Sequence, residues 1–278
     1  MLVPPKARRR TLRSWLPLAL VTALLGVALL ASPASAATKT SKPTVVLVHG
    51  AFADASGWAG VIDRLQDAGY PVVAPANPLR GVAADAAYVK SFLATVDGPI
   101  ILVGHSYGGM VITNAATGNP NVKALVYVAA YAPDEGDTAA GLSALAEGGM
   151  IGPATLTIRT FPGADGTPTP EGYIKLDVFH KIFCADLPAR KAAEMAVSQR
   201  PAAVSALGEP SGAPAWKTIP SWYMVAGKDL AIGTAAERIM ARRIKATTVE
   251  VKGASHVVFI SHPGATAKLI ERAAGAKK

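Results

Sequence analysis

Pro99–Gly109 reads Pro-Ile-Ile-Leu-Val-Gly-His-Ser-Tyr-Gly-Gly (PIILVGHSYGG). Its first half is a short, uninterrupted apolar run with no polar residue to turn toward water. That is the pattern of a strand buried on both faces of a parallel sheet. Its second half sets Gly104 and Gly108 two residues either side of Ser106, and Met110–Thr117 then carries helical spacing as far as Gly118. A chain passing this tightly from strand to helix has no room for side chains two residues before or after the apex, so both positions require glycine. The turn lifts the Ser106 hydroxyl to the upper edge of the sheet and directs the helix N-terminus at it.

The same alternation extends in both directions. Thr44–His49 (TVVLVH) is a second buried strand, and Trp58–Ala68 places Trp58, Ile62 and Leu65 on one helical face before Gly69 stops it. Val72–Ala76 reads as a strand closed by Asn77-Pro78, and Ala83–Val96 as a helix. Further on, Val122–Ala129, Ser221–Ala226 and Thr247–Val251 read as strands, with helices at Thr234–Ile244 and Pro263–Ala274. Strands alternating with helices predict an α/β fold built on a doubly wound, mainly parallel six-stranded sheet, with no internal repeat. Tyr131–Lys217 breaks the rhythm with many Gly and Pro, two predicted helices (Tyr173–Phe183 and Pro188–Gln199) and no strong strand. Such an insertion is expected to fold as a mostly helical cap over the C-terminal edge of the sheet, where open α/β sheets bind ligands. Phe161, Tyr173, Phe179, Ile182 and Phe183 are the cap's pocket candidates, the alternative being that they pack the cap onto the core.

Composition narrows the function. The 278 residues carry 28 Lys and Arg against 19 Asp and Glu, a formal +9. Five of those bases (Lys6, Arg8, Arg9, Arg10 and Arg13) precede the apolar run Leu16–Ala31, and Ala34-Ser35-Ala36 is a small-x-small site. Basic start, short apolar core and small-residue exit predict a secretory signal peptide over 1–36, removed to leave one domain over 37–278. At about 16 residues, with Pro17 and Gly26 inside, the run is shorter than the roughly 20 needed to span a bilayer, so no stable membrane anchor is expected. Arg9-Arg10-Thr11-Leu12-Arg13 also matches a twin-arginine export signal. The expected location is therefore secreted or periplasmic. Cleavage leaves 23 bases against 19 acids, a formal +4, and most of the excess lies near the C-terminus without interleaved aromatics. That excludes a nucleic-acid partner. A single cysteine, Cys184, in the apolar stretch Ile182-Phe183-Cys184, allows no internal disulfide and reads as a buried structural thiol. Histidines and carboxylates show no metal-ligand spacing, so neither metal nor cofactor is expected.

Four stretches together, HGAFADASGW (His49–Trp58), GHSYGG (Gly104–Gly109), AGKD (Ala226–Asp229) and GASHVVFISHP (Gly253–Pro263), resemble the α/β-hydrolase superfamily. Within it the chain is similar to a compact branch of plant methylesterases, hydroxynitrile lyases and bacterial esterases. The likeness runs from about Thr44 to the C-terminus and is weakest over the cap. Serine is a poor nucleophile at neutral pH and needs a base oriented by an acid. The resemblance implies the order Ser, Asp, His: Ser106 as nucleophile, Asp229 as orienting acid and His256 as base. Asp134, after the fourth strand, competes as the acid. His49 and His105 are expected to support loop geometry, His180 lies in the cap, and His262 is expected to cap the last helix beside Pro263. The oxyanion donors are expected to be the backbone N–H groups of Tyr107 and Ala51, with Phe52 second choice and also a pocket-wall candidate.

Ser106 argues against the dehalogenases and epoxide hydrolases of this fold, which use Asp. The resembling lyases carry Thr where this chain has Gly50 and Lys directly after the base, where this chain has Val257. The resemblance thus implies a carboxylesterase acting on a small-molecule ester. Cofactor-free haloperoxidase or perhydrolase chemistry uses the same triad, and a binding protein with vestigial hydrolysis is the alternative from another class. The ester and the oligomeric state are not legible in the sequence.

Overall fold

The computed structural model describes residues 42–276 apart from Ala164, so the expected export segment lies outside the described residues. In chain order the first half contains β1 (Thr44–Val48), α1 (Ala59–Asp67), β2 (Val72–Val73), α2 (Val82–Leu93), β3 (Ile100–Ser106), α3 (Gly108–Ala115) and β4 (Val122–Ala130). The insertion contributes α4 (Ala139–Ser143), β5 (Leu156–Pro162), β6 (Pro168–Ile174), α5 (Leu176–Phe183), α6 (Ala189–Ser198), β7 (Ala202–Ala203) and α7 (Val204–Gly208). The chain then returns through β8 (Ser221–Ala226), α8 (Thr234–Arg243), β9 (Thr247–Val251), α9 (Val258–Ser261) and α10 (Pro263–Gly275).

Six of the strands form one sheet in the order β2-β1-β3-β4-β8-β9, and every neighbouring pair is parallel. The expected α/β sheet is therefore present. α3 and α10 pack across its central strands, with α2 packed against α3 and α1 against α10. β3 and β8 are buried at every residue, as a sheet covered on both faces requires. No helix among the described residues is long and apolar enough to cross a membrane.

β2 is shorter than the sequence suggests. Only Val72 and Val73 pair with β1. Beyond them the chain turns aside so that the Asn77 backbone N–H donates to His49 Nε2 (3.0 Å) and its side-chain amide donates to His49 O (2.9 Å).

The cap corrects one expectation. Besides its helices it contains a three-stranded antiparallel sheet, β5-β6-β7, in a region that shows no strong strand in the sequence. Pro162, Pro168 and Pro170 hide the hairpin, because proline depletes strands except at edges and ends. Tyr173 and Ile174 pair with Thr157 and Leu156, so α5 begins at Leu176 rather than at Tyr173. Arg80, in the loop before α2, reaches up to this ribbon: its Nη1 donates to Glu171 (2.8 Å) and its guanidinium lies 4.1 Å from the Phe161 ring centre. In the other direction, Glu209 from the cap accepts the backbone N–H groups of Val82 and Ala83 in the first turn of α2 (2.8 and 2.9 Å).

Candidate active site

β3 ends on Ser106, whose backbone is left-handed at φ +52°. For a residue with a Cβ that conformation stores about 1–3 kcal/mol, so the surroundings must impose it. They do so by close approach. A Cβ on Gly104 would stand 2.7 Å from Gly108 O, one on Gly108 2.6 Å from Val48 O, and one on Gly109 2.0 Å from Tyr131 O. The pairing of β3 with β4 skips Ala129, itself at φ +42°, to set Ser106 against Ala130, and Tyr131 N–H closes the turn onto Ser106 O (3.1 Å). α3 starts directly after, with Tyr107 at its N-cap position. From the other side, the loop after β1 passes so close that a Cβ on Gly50 would lie 2.6 Å from the Ser106 Cβ.

Asp229 follows β8 in a tight turn. Its backbone N–H donates to Thr234 Oγ1 (3.0 Å), and its Oδ1 accepts the N–H groups of Ala231 (2.6 Å) and Ile232 (3.0 Å). Its Oδ2 faces His256 Nδ1 at 2.6 Å, and both side chains are buried. Burial opposes ionisation of Asp229, but the adjacent His256 charge and the hydrogen bonds to the carboxylate outweigh it. The carboxyl stays well below the ordinary carboxylate range. With Nδ1–H donated to Asp229, Nε2 of His256 is the nitrogen free to accept a proton.

The other histidines take structural positions. His105 donates from Nε2 to the His256 backbone O (3.1 Å), and burial drives its pKa well below the usual value, so a neutral ring braces the loop that carries His256. His49 accepts the Asn77 N–H at Nε2 and, through Nδ1, meets Gly50 O (2.9 Å). His180 Nε2 bonds to Leu187 O (2.9 Å). His262 occupies the N-cap position of α10, but its side chain makes no capping bond there and turns to Ser261 Oγ (2.9 Å). Asp134, the competing acid, is tied to Lys217 (2.6 Å) at the surface and meets no histidine.

Ser106 and His256 line one narrow cavity of about 20 Å³ with Ala51 and Tyr107, walled by Phe52, Tyr131, Ile151, Phe183 and Leu207. Ser106 Oγ and His256 share the cavity without a mutual hydrogen bond, and catalytic hydrogen bonds commonly tighten only around bound substrate. Of the two second-donor candidates, Phe52 commits its N–H to Arg200 O (2.9 Å). Among the described residues the N–H groups of Ala51 and Tyr107 meet no backbone acceptor. The Tyr107 side chain points away, its hydroxyl donating to the buried Asp85 (3.0 Å).

Four of the pocket candidates lie elsewhere. Phe161 stacks under Arg80, Tyr173 donates its hydroxyl to Glu171 (2.9 Å), and Phe179 packs inside the cap against Phe183 with ring centres 5.0 Å apart. Hairpin pairing turns the first two onto the ribbon, a placement invisible without knowing the hairpin exists. Ile182 is buried beside Phe179 without lining the cavity. Conversely, Tyr131, Ile151 and Leu207 line the cavity though the sequence did not single them out. Only Tyr131 carried a usable signal, as the first residue beyond β4. Cys184 is fully buried, and its thiol is pushed up to about 12 by burial, as expected for an inert thiol.

Residues 45–269 match the model of the alpha/beta hydrolase family. The chain belongs to that family. Among curated relatives, it is 34% identical over 106 residues to the carbendazim hydrolyzing esterase of Nocardioides sp. (strain SG-4G), a match covering 34% of this chain and 44% of that protein. It is 26% identical over 259 residues to alpha/beta hydrolase nvfD of Aspergillus novofumigatus (strain IBT 16806), covering 84% and 97%. Among solved structures, polyneuridine aldehyde esterase superposes with a TM-score of 0.70 at 18% identity, over 83% of this chain and 98% of that one. That likeness concerns the fold. Within an alpha/beta hydrolase, a serine at the β3–α3 turn facing an Asp-supported histidine has the parts of a nucleophile and its base.

Proposed function

We propose that this alpha/beta hydrolase is an exported serine carboxylesterase acting on small or medium carboxylic esters. Ser106 Oγ attacks the ester carbonyl while His256 Nε2 takes its proton. Asp229 keeps the imidazole in the required tautomer and balances its charge. The N–H groups of Ala51 and Tyr107 donate to the oxyanion of the tetrahedral intermediate. Collapse of the intermediate protonates and expels the alcohol, leaving Ser106 acylated. Water deprotonated by His256 then releases the carboxylic acid and restores the serine.

The observation that carries this reading is that His256, backed by the buried Asp229, lines the same cavity as the strained Ser106. Esterase names among the relatives support the substrate class. Gly50 supports hydrolysis over lyase chemistry: a threonine there would drive its Cβ against Ser106, so the resembling lyases' arrangement does not fit this turn. The basic start, apolar core and Ala34-Ser35-Ala36 site support export, and protein recovered outside the cytoplasm is expected to begin at Ala37.

Turnover of short-chain p-nitrophenyl esters by the wild type and by Ser106→Ala tests the reading. The substitution is expected to remove at least about 10³-fold of the activity. Equal turnover by the two proteins would reject it.

A further inference from the structure

Glu237 sits in the first turn of α8, fully buried, and takes no part in the chemistry above. Its Oε2 accepts the N–H of Ala226, the last residue of β8 (3.0 Å). Its Oε1 is buried and meets no hydrogen-bond donor among the described residues. The Asp229 carboxyl is its charged neighbour across the same turn, where Thr234 Oγ1 accepts the Asp229 N–H (3.0 Å) and donates to Ala226 O (2.6 Å). Two neighbouring carboxylates buried in a dry interior do not both stay charged without a cation between them. None is there.

From β8 the neighbouring titratable group is Tyr223, whose hydroxyl is spent on Ala130 O. From β9 it is Glu250, another acid, already paired with Arg238 at the surface (2.7 Å). Beyond β4, the Tyr131 hydroxyl pairs with Ser143 (2.8 Å). His256 gives its Nδ1 proton to Asp229. The N-terminus of α8 favours one anion nearby, and Asp229 already is that anion. Burial and the Asp229 charge together push the Glu237 carboxyl well above its ordinary range.

We propose that Glu237 is a neutral carboxylic acid whose Oε1–H donates to the Asp229 carboxylate, making it a positioning residue behind Ser106, His256 and Asp229. Oε1 then has the partner it otherwise lacks, while Oε2 remains the acceptor for Ala226. Asp229 is pinned by its two backbone donors, by His256 and by Glu237. The donated bond draws charge from Asp229 and so tempers its pull on the imidazole proton. Removing the bond should strengthen that pull and move the acid limb of the pH–rate profile upward.

The kinetic part rests on the esterase reading, whereas the protonation of Glu237 does not, and the experiment separates them. Infrared difference spectra of wild type against Glu237→Gln at neutral pH should show the C=O stretch of a protonated carboxyl in the wild type alone. Its absence overturns the proposal whatever Ser106 does. In Glu237→Gln the amide N–H₂ replaces Oε1–H and the amide oxygen still accepts from Ala226, so the acid limb of kcat/KM should stay in place. In Glu237→Leu the limb should move up by about half a pH unit to one unit, with kcat reduced several-fold. A downward shift in Glu237→Gln would mean that a negative charge had been removed, and an unmoved limb in Glu237→Leu would leave only a structural role. Either result overturns the proposal. If Glu237→Leu does not fold, the infrared band and Glu237→Gln still decide. A wild type that shows the band but hydrolyses no ester would sink the esterase reading and leave the protonated Glu237 standing.

Discussion

Ser106 owes its conformation to what cannot fit around it. Gly50 tests this best, because it lies outside the turn and yet controls the space beside the serine. Gly50→Ala places a Cβ 2.6 Å from the Ser106 Cβ, and both lie on chain that is fixed by neighbouring strands. Overpacking of this kind costs about 1–3 kcal/mol, whereas a displacement of about 1 Å at a reacting atom costs about 10²-fold in rate. The expected outcome is a folded protein with a modestly lowered Tm and kcat/KM reduced roughly 100-fold. A variant with wild-type kinetics would show that the turn has slack. At this scale the sequence singles out Ser106, Asp229 and His256 by their places at strand ends: Ser106 closes β3, and Asp229 and His256 lie in the loops after β8 and β9. Glu237 was illegible for the opposite reason. In Thr-Ala-Ala-Glu-Arg it looks like any solvated first-turn acid, and only the packing of α8 against β8 buries it.

Apart from the short β2, the elements of the sheet were equally legible. Ser221–Ala226 and Thr247–Val251 agree residue for residue with β8 and β9: β8 is a buried apolar run with abrupt ends, and β9, the half-exposed edge strand, is a β-branched one. The ribbon β5-β6 was not, since β5 is mostly exposed and β6 mixes buried and exposed residues without alternation, so no strand pattern was written into it. What fastens that ribbon to the core is Arg80, paired with Glu171 and stacked on Phe161. Glu171 is nearly buried while Arg80 is part exposed, so the ion pair is screened on one side only. Arg80→Ala is expected to destabilise the protein by about 1–2 kcal/mol, the sum of a partly screened pair and a cation–π contact. Urea denaturation followed by fluorescence measures it. No change in the midpoint would mean that the cap is fastened elsewhere, for instance by Glu209 at the head of α2.

At the scale of the molecule, the chain forms no disulfide with its one buried cysteine and draws its stability from the covered sheet. The buried acids then shape how that stability varies with pH. Asp229 has a depressed native pKa. Its contribution is present above the unfolded value of about 3.9 and is lost as pH falls through the native one. Glu237 has the opposite sign. Its native pKa is raised, so above an unfolded value of about 4.3 the native state holds a proton that the unfolded chain has released, and stability falls as pH rises. The slope from Glu237 is at most about 1.4 kcal/mol per pH unit. Glu237→Gln removes it. The stability of Glu237→Gln relative to wild type is therefore expected to grow between about pH 4.5 and 7. A pH-independent difference in urea midpoints would contradict a raised Glu237.

Ser106 as a nucleophile activated by His256 is tested most directly by its reaction with a fluorophosphonate, read by intact mass and peptide mapping. The wild type should gain one phosphonyl adduct, located on Ser106. Ser106→Ala should gain none, and His256→Ala should react far more slowly, because the neighbouring base is gone. A wild type that remains unmodified, or an adduct that maps to another residue and survives in Ser106→Ala, would contradict the assignment.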